Sequence, residues 1–140
     1  MRLVLDTNVI VAAMRSPGGA SAAILRSARA GEVTMLANVA LALEYEAICT
    51  LPEHFTASCL SRNEAEVFVD AVIALCEPVE THFLWRPQLR DPADEFVLDA
   101  AVNGQAEAIV TFNKRDFAEV EAGFGIGVAT PSEALRSFKS

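Results

Sequence analysis

Four acidic residues of this 140-residue chain stand where a metal-dependent reaction would need them. Asp6 ends the apolar run Leu3-Val4-Leu5 and opens Asp6-Thr7-Asn8. Glu44 lies inside an apolar helical stripe. Asp94 closes Asp91-Pro92-Ala93-Asp94 at a predicted helix start. Asp116 follows Ala108-Ile109-Val110-Thr111 within Asn113-Lys114-Arg115-Asp116-Phe117. Carboxylates prefer water and repel one another, so several converge only when a cation joins them. Hard divalent ions take oxygen ligands of this kind. Such ions activate water and stabilise a leaving oxygen in phosphodiester hydrolysis. The constellation predicts a metal-dependent enzyme, and its spacing points to a nuclease.

Each acid also has a plainer reading. Asp6 fits an N-cap whose carboxylate takes amide N–H bonds. Glu44 has Ala40, Leu41, Ala47 and Ile48 at three- and four-residue spacing, so its carboxylate needs a partner. Glu46, beside Ala42, Leu43, Cys49 and Thr50, competes with it, and periodicity barely separates the two. Asp94 shares a face with Val97, Leu98 and Ala101, but an acid in a first turn also complements the helix dipole. Asp91 reads as the cap of that helix, and Glu95 and Asp99 as solvated. Asp116 sits in a charged turn that suits a surface acid.

The elements that must position these residues alternate. Leu3-Val4-Leu5 reads as a short buried strand of the parallel kind. A helix starts at Thr7, Ser16-Pro17-Gly18-Gly19 breaks the chain, and Ala20 to Ala30 is helical up to Gly31. Val33 to Leu36 is a second strand. Asn38 caps a helix that stops before Pro52. Ser61-Arg62-Asn63-Glu64 has capping-box spacing and opens a helix to about Cys76. Val79 to Leu84 reads as a strand. The helix after Asp91 has Pro92 in its first turn and Gly104 as its stop. Ala108 to Thr111 is a strand, Lys114 to Glu121 a short helix and Ile126 to Ala129 the last strand. Thr130-Pro131-Ser132-Glu133 is a second capping box before a terminal helix. This alternation predicts one α/β domain over residues 1–140, an α/β/α sandwich around a central parallel sheet. Ligands bind such sheets outside the carboxyl ends of the strands, near the switch point, and both Asp6 and the loop from Thr111 to Asp116 lie at such ends.

Composition bounds the rest. A net charge of −8 argues against a protein that grips nucleic acid by a broad basic surface. It leaves room for a nuclease that holds substrate through metal ions and a few cations. The 3 cysteines lack metal-ligand spacing and predict reduced core thiols in a cytoplasmic protein. The N-terminus lacks a signal-peptide layout, and the longest apolar stretch, Met35 to Leu43, contains Asn38 and is too short for a bilayer. His54 and His82 have no ligand-spaced companion, which argues against a histidine metal centre.

The blocks Leu3-Val4-Leu5-Asp6-Thr7-Asn8-Val9, Leu43-Glu44-Tyr45-Glu46, Asp91-Pro92-Ala93-Asp94 and Ile109-Val110-Thr111-Phe112-Asn113-Lys114-Arg115-Asp116-Phe117 occur in one order along nearly the whole chain. In that order they resemble the signature blocks of PIN domains, above all bacterial PIN-domain toxins of type II toxin–antitoxin pairs. The resemblance implies a central parallel sheet flanked by helices and Mg²⁺- or Mn²⁺-dependent cleavage of RNA. It also implies a cognate antitoxin as partner, a homodimer, and action in the cytoplasm away from membranes. Carried over residue by residue, the catalytic and metal-holding acids are Asp6, Glu44, Asp94 and Asp116, with Asn8 and Thr111 as polar neighbours. Asn113 departs from the family, many members of which carry an aspartate there.

On this reading Asp6 is the central ligand, Asp94 and Asp116 lie to one side, and Glu44 stands near a second ion or the attacking water. Arg15, Lys114 and Arg115 are candidate phosphate contacts, though each also suits a solvated surface. Two rivals remain. A phosphatase of the haloacid-dehalogenase type needs an aspartate where this chain has Asn8. A receiver-like or degenerate PIN-like domain would hold one structural ion, or act through protein partners, without catalysis.

Overall fold

The structure, a computed structural model, describes residues 1–80 and 92–139. Five strands form one sheet: β1 (Arg2–Leu5), β2 (Thr34–Ala37), β3 (Cys76–Pro78), β4 (Ala108–Val110) and β5 (Gly127–Ala129). Every pairing is parallel and the spatial order is β3-β2-β1-β4-β5. The chain adds strands outward on one side of β1, then crosses to the other side for β4 and β5. The direction of winding therefore reverses between β1 and β4.

Helices α1 (Thr7–Arg15), α2 (Ala20–Arg29), α3 (Val39–Cys49), α4 (Pro52–Ala57), α5 (Arg62–Leu75), α6 (Pro92–Asn103), α7 (Ala118–Phe124) and α8 (Pro131–Lys139) flank the sheet. A 3-10 turn, Lys114–Phe117, precedes α7. Leu3, Val4 and Leu5 are buried in succession, as are Ile109 and Val110. Consecutive burial, rather than alternation, is what a strand covered on both faces requires. Each such side chain contributes roughly 1.5–3 kcal/mol by leaving water.

Local chemistry sets several boundaries. The Asn38 side chain accepts from the Leu41 amide at 2.8 Å and caps α3. Ser61 and Glu64 close a reciprocal capping box on α5. Thr130 and Glu133 do the same at α8. Gly104 follows the end of α6, where a Cβ would stand 2.8 Å from the Ala100 carbonyl and 2.9 Å from both Leu36 and Val79. The expected cap Asp91, and most of the strand expected from Val79 to Leu84, lie outside the described residues.

The described residues add a strand at Cys76–Pro78, just after α5, and Pro78 fits because β3 is an edge strand. The helix capped by Asn38 ends before Pro52 as expected, and Pro52 then starts the short helix α4 as its first residue. Two expectations are corrected, the solvation of Glu95 and Asp99 and the burial of all three thiols. Glu95 and Asp99 are buried, at 4% and 2% exposure, because α6 packs against β1, β2, β4 and α3 at once. Cys49 is buried and Cys76 half-buried, but Cys59 is exposed, so only two of the free thiols are core groups. Among the described residues no helix is long and apolar enough to cross a membrane.

Candidate active site

β1 and β4 pair in register, Leu3 with Ala108 and Leu5 with Val110. The ladder continues one step further, with the Asp6 amide donating to the Val110 carbonyl at 2.9 Å. Asp6 and Thr111 thus leave adjacent strands side by side, at the point where the winding reverses. Asp6 has extended backbone (φ −61°, ψ 151°) and caps α1, its Oδ1 accepting from the Thr7 amide at 2.9 Å. Its Oδ2 accepts from the Thr111 hydroxyl at 2.8 Å. Thr111 is fully buried, and its Oγ1 also accepts from the Asn113 amide at 3.0 Å. The hydroxyl is committed to Asp6 and to the loop, which makes Thr111 a positioning residue. The plain reading of Asp6 as a cap and the functional one coexist, because two neutral donors orient the carboxylate as outer partners orient a metal ligand.

Tyr45, on α3, lies under this corner. Its side chain is fully buried and its hydroxyl donates to the Leu5 carbonyl, one residue before Asp6. Burial raises its pKa well above the usual tyrosine value, and the charges of Cys76, Asp6 and Glu44 raise it further. Asp6 directly follows the Leu5 carbonyl that this hydroxyl bonds, and Glu44 precedes Tyr45 on α3. Glu44 is half-buried whereas Glu46 is exposed, a distinction that periodicity did not resolve.

Asp94 is half-buried in the first turn of α6, and Val97, Leu98 and Ala101 on its face are all buried. Asp116 is exposed in the 3-10 turn. Among the described residues no three of His, Cys, Asp and Glu come close enough together to hold an ion. Glu44, Asp94 and Asp116 are not shown to gather with Asp6 in one cluster.

The donor chemistry can be tested against a hard cation. Thr7 Oγ1 and Asn8 Oδ1 are buried oxygens without a hydrogen-bond partner among the described residues, both within two residues of Asp6. Orphaned oxygens beside a fixed carboxylate fit Mg²⁺ or Mn²⁺, which take oxygen ligands. The cysteines do not compete: desolvation lifts the Cys49 and Cys76 thiols to about 11, so they stay protonated and are poor ligands at neutral pH.

The candidate cations separate. Lys114 Nζ is paired with Glu133 at 2.9 Å. Arg115 is exposed two residues after Asn113. Arg15 is exposed at the far end of α1, about 13 Å from Asp6 at 1.5 Å per residue. A cavity of about 620 Å³ forms an apolar groove including Met14, Leu25, Leu60, Val67 and Phe68. It also lies toward that end of α1, away from Asp6.

Residues 2–115 match the family model of the PIN domain. The chain belongs to the PIN-domain family. A chain in the crystal structure of VapBC2 from Rickettsia felis bound to a DNA fragment from their promoter is similar in fold. The TM-score is 0.61 at 13% sequence identity, over 91% of this chain and 97% of that one. No curated protein sequence matches the chain. The PIN domain here is a single α/β unit whose five-stranded parallel sheet carries Asp6 at the switch point. Neither Glu95 nor Asp99 was read from sequence as anything but a solvated acid. The signal that could have found them is their four-residue spacing on an otherwise apolar helix.

Proposed function

We propose that this PIN domain is a Mg²⁺- or Mn²⁺-dependent endoribonuclease and the toxin of a type II toxin–antitoxin pair. It acts in the cytoplasm, dimerises and pairs with a small cognate antitoxin. The observation that carries the enzymatic part is the Asp6–Thr111 pair at the switch point of a PIN-domain sheet, where ligands of wound parallel sheets bind. The likeness to a chain of a VapBC2 complex supports the toxin part.

Asp6, Glu44, Asp94 and Asp116 would hold the metal, with Thr7 and Asn8 oxygens nearby. When bound, the ion supplies an activated water and charge stabilisation for the leaving oxygen. The chain's own residues do the rest. Thr111 and the Thr7 amide fix the direction of the Asp6 carboxylate. Tyr45 fixes the carbonyl just before it. Arg115 supplies positive charge for phosphate beside the site, and Lys114 supplies more when released from Glu133.

One test uses the two acids flanking the start of α6. An Asn keeps a capping oxygen but loses the charge a ligand needs. Asp94→Asn should abolish Mn²⁺-dependent cleavage of a structured RNA, with circular dichroism unchanged, while Asp91→Asn should keep it. Equal loss in both variants, or activity retained in Asp94→Asn, refutes the assignment. A second reading, a degenerate domain that binds an ion without cleaving, is favoured by Asn113 and by the exposure of Asp116. It predicts metal binding with no cleavage. An open reading frame for a small antitoxin beside the gene would support the toxin role.

A further inference from the structure

The chain carries −8, but its acids are spread unevenly. Residues 7–31, which form α1, the break after it and α2, contain no Asp or Glu. The same stretch holds Arg15, Arg26 and Arg29. All three are exposed, and among the described residues none has an acidic partner. Arg2, Arg62 and Lys114, by contrast, are each paired with a carboxylate. The three unpaired arginines are also gathered in space. Arg26 Nη1 donates to the Pro17 carbonyl at 2.9 Å, which ties the break just after Arg15 to α2. Arg29 stands one turn beyond Arg26, roughly 5–6 Å away between Cβ atoms.

Each arginine lies in the last turn of its helix, where a cation complements the dipole. One cation per helix end serves that purpose. It accounts for neither the second arginine on α2 nor the missing acids. Arg26 also borders the apolar groove, whereas Arg15 and Arg29 do not, and the groove wall on α5 carries Glu64. A peptide lying in the groove would therefore meet one arginine and one acid. A partner that meets all three arginines lies outside the groove and carries negative charges repeated along its length. A polynucleotide backbone has that form, and the guanidinium fork matches phosphate oxygens in pairs.

We propose that Arg15, Arg26 and Arg29 form a second phosphate-binding surface, which holds the RNA strand at a distance from the bond cut beside Asp6. This rests on the ribonuclease reading above and adds that the substrate is a strand long enough to reach both places. Arg15 stands about 13 Å from Asp6 along α1, so one phosphate cannot serve both. The surface contributes binding and leaves the chemistry to the acids.

The test uses the full chain with Arg15→Gln, Arg26→Gln and Arg29→Gln, singly and together, and Arg62→Gln as a control for lost charge. The probes are a single-stranded oligoribonucleotide of about 16 nucleotides, a length that single-strand grooves track, and a dinucleoside monophosphate. Binding is read by fluorescence anisotropy in an Asp6→Asn background, so that it does not depend on cleavage. The triple variant should bind the long strand about ten-fold more weakly at low salt, and the difference should fade as salt rises. The slope of log affinity against log salt should fall by about 0.7 for each arginine removed. Arg62→Gln should change neither. With Asp6 in place, the triple variant should raise KM for the long strand at unchanged kcat, and leave kcat/KM for the dinucleotide as it was. Long-strand binding that needs the arginines, without any cleavage by wild type, supports the surface and sinks the ribonuclease. Cleavage by wild type, with affinity and salt slope unchanged in the triple variant, overturns the surface and leaves the ribonuclease standing. An equal loss in Arg62→Gln, or on the dinucleotide, also overturns the surface. Polyglutamate bound more tightly than RNA of the same length overturns it in favour of an acidic protein partner. Neither binding nor cleavage of RNA overturns both.

Discussion

Asp6 and Asp116 carry the same carboxylate at the exits of two paired strands, yet their surroundings differ in kind. Asp6 follows β1 directly, and the sheet ladder, a helix cap and the Thr111 hydroxyl hold it. Asp116 comes six residues after the end of β4 and is exposed in a 3-10 turn. A side chain at a strand end inherits the rigidity of the sheet. One in a turn must lose rotamer freedom before it can act, at up to about 2 kcal/mol for the longest side chains and less for Asp. The difference teaches that Asp6 is fixed by the fold, whereas Asp116, on the proposed function, would be ordered only by metal or substrate.

The largest expected effect separates the two acids. Asp6→Asn should lower Mn²⁺-dependent RNA cleavage by more than about a hundred-fold, the upper range for losing an outer partner of a metal ligand. Asp116→Asn should cost less. If Asp116→Asn is the more damaging, the division into a fixed and an assembled half is wrong. Next comes Thr111→Val, which keeps shape and removes the hydroxyl. Cleavage should fall about 10–100-fold with only a small change in melting temperature. Full activity in this variant would mean that Asp6 needs no orienting partner.

Tyr45→Phe tests the floor of the fixed half. It removes the hydroxyl bonded to the Leu5 carbonyl in a fully buried place. Leaving a buried acceptor short of a donor should lower stability by about 1–3 kcal/mol, read by urea unfolding. An unchanged midpoint would show that the carbonyl finds another donor.

The smallest effect lies in the turn. Glu133 accepts from the Thr130 amide and from Lys114, which holds its carboxyl at about 2, below the ordinary 4.5. A depressed carboxylate stabilises the fold above its unfolded pKa and loses that contribution as pH falls toward the folded one. The melting-temperature gap between wild type and Glu133→Gln should therefore be present at pH 6 and shrink between about pH 4.5 and 2. The effect should be slight, because the pair is exposed and screened. A gap that persists at pH 2 would assign the stabilisation to something other than charge.

The same contrast governs what the sequence made legible. Where a local rule acts alone, it could be read: the Asn38 cap, both capping boxes, Gly104 as a stop, and Asp6 at the end of an apolar strand. The alternation of strands and helices predicted the parallel sheet, and the ordered blocks predicted the family. Tertiary packing decided the rest. Glu95 and Asp99 are acids on a helix that touches three strands and another helix, which local pattern does not reveal. Pro52 ends one helix and begins the next, and only the following residues say which meaning applies. Glu44 and Glu46 were inseparable by periodicity until burial parted them. Asp94 and Asp116 are not shown to join Asp6, and long-range placement of this kind is not something spacing alone determines.

The central claim is that Asp6 is the anchor of a divalent-metal site, and it has a direct measurement. A ligand that binds only the folded state raises stability by mass action, about 2.7 kcal/mol at a hundred times its dissociation constant. The melting temperature of the chain should therefore rise by several degrees with millimolar Mn²⁺. Asp6→Asn should fold and melt without that rise. An equal rise in wild type and Asp6→Asn, or none in wild type, would contradict the account.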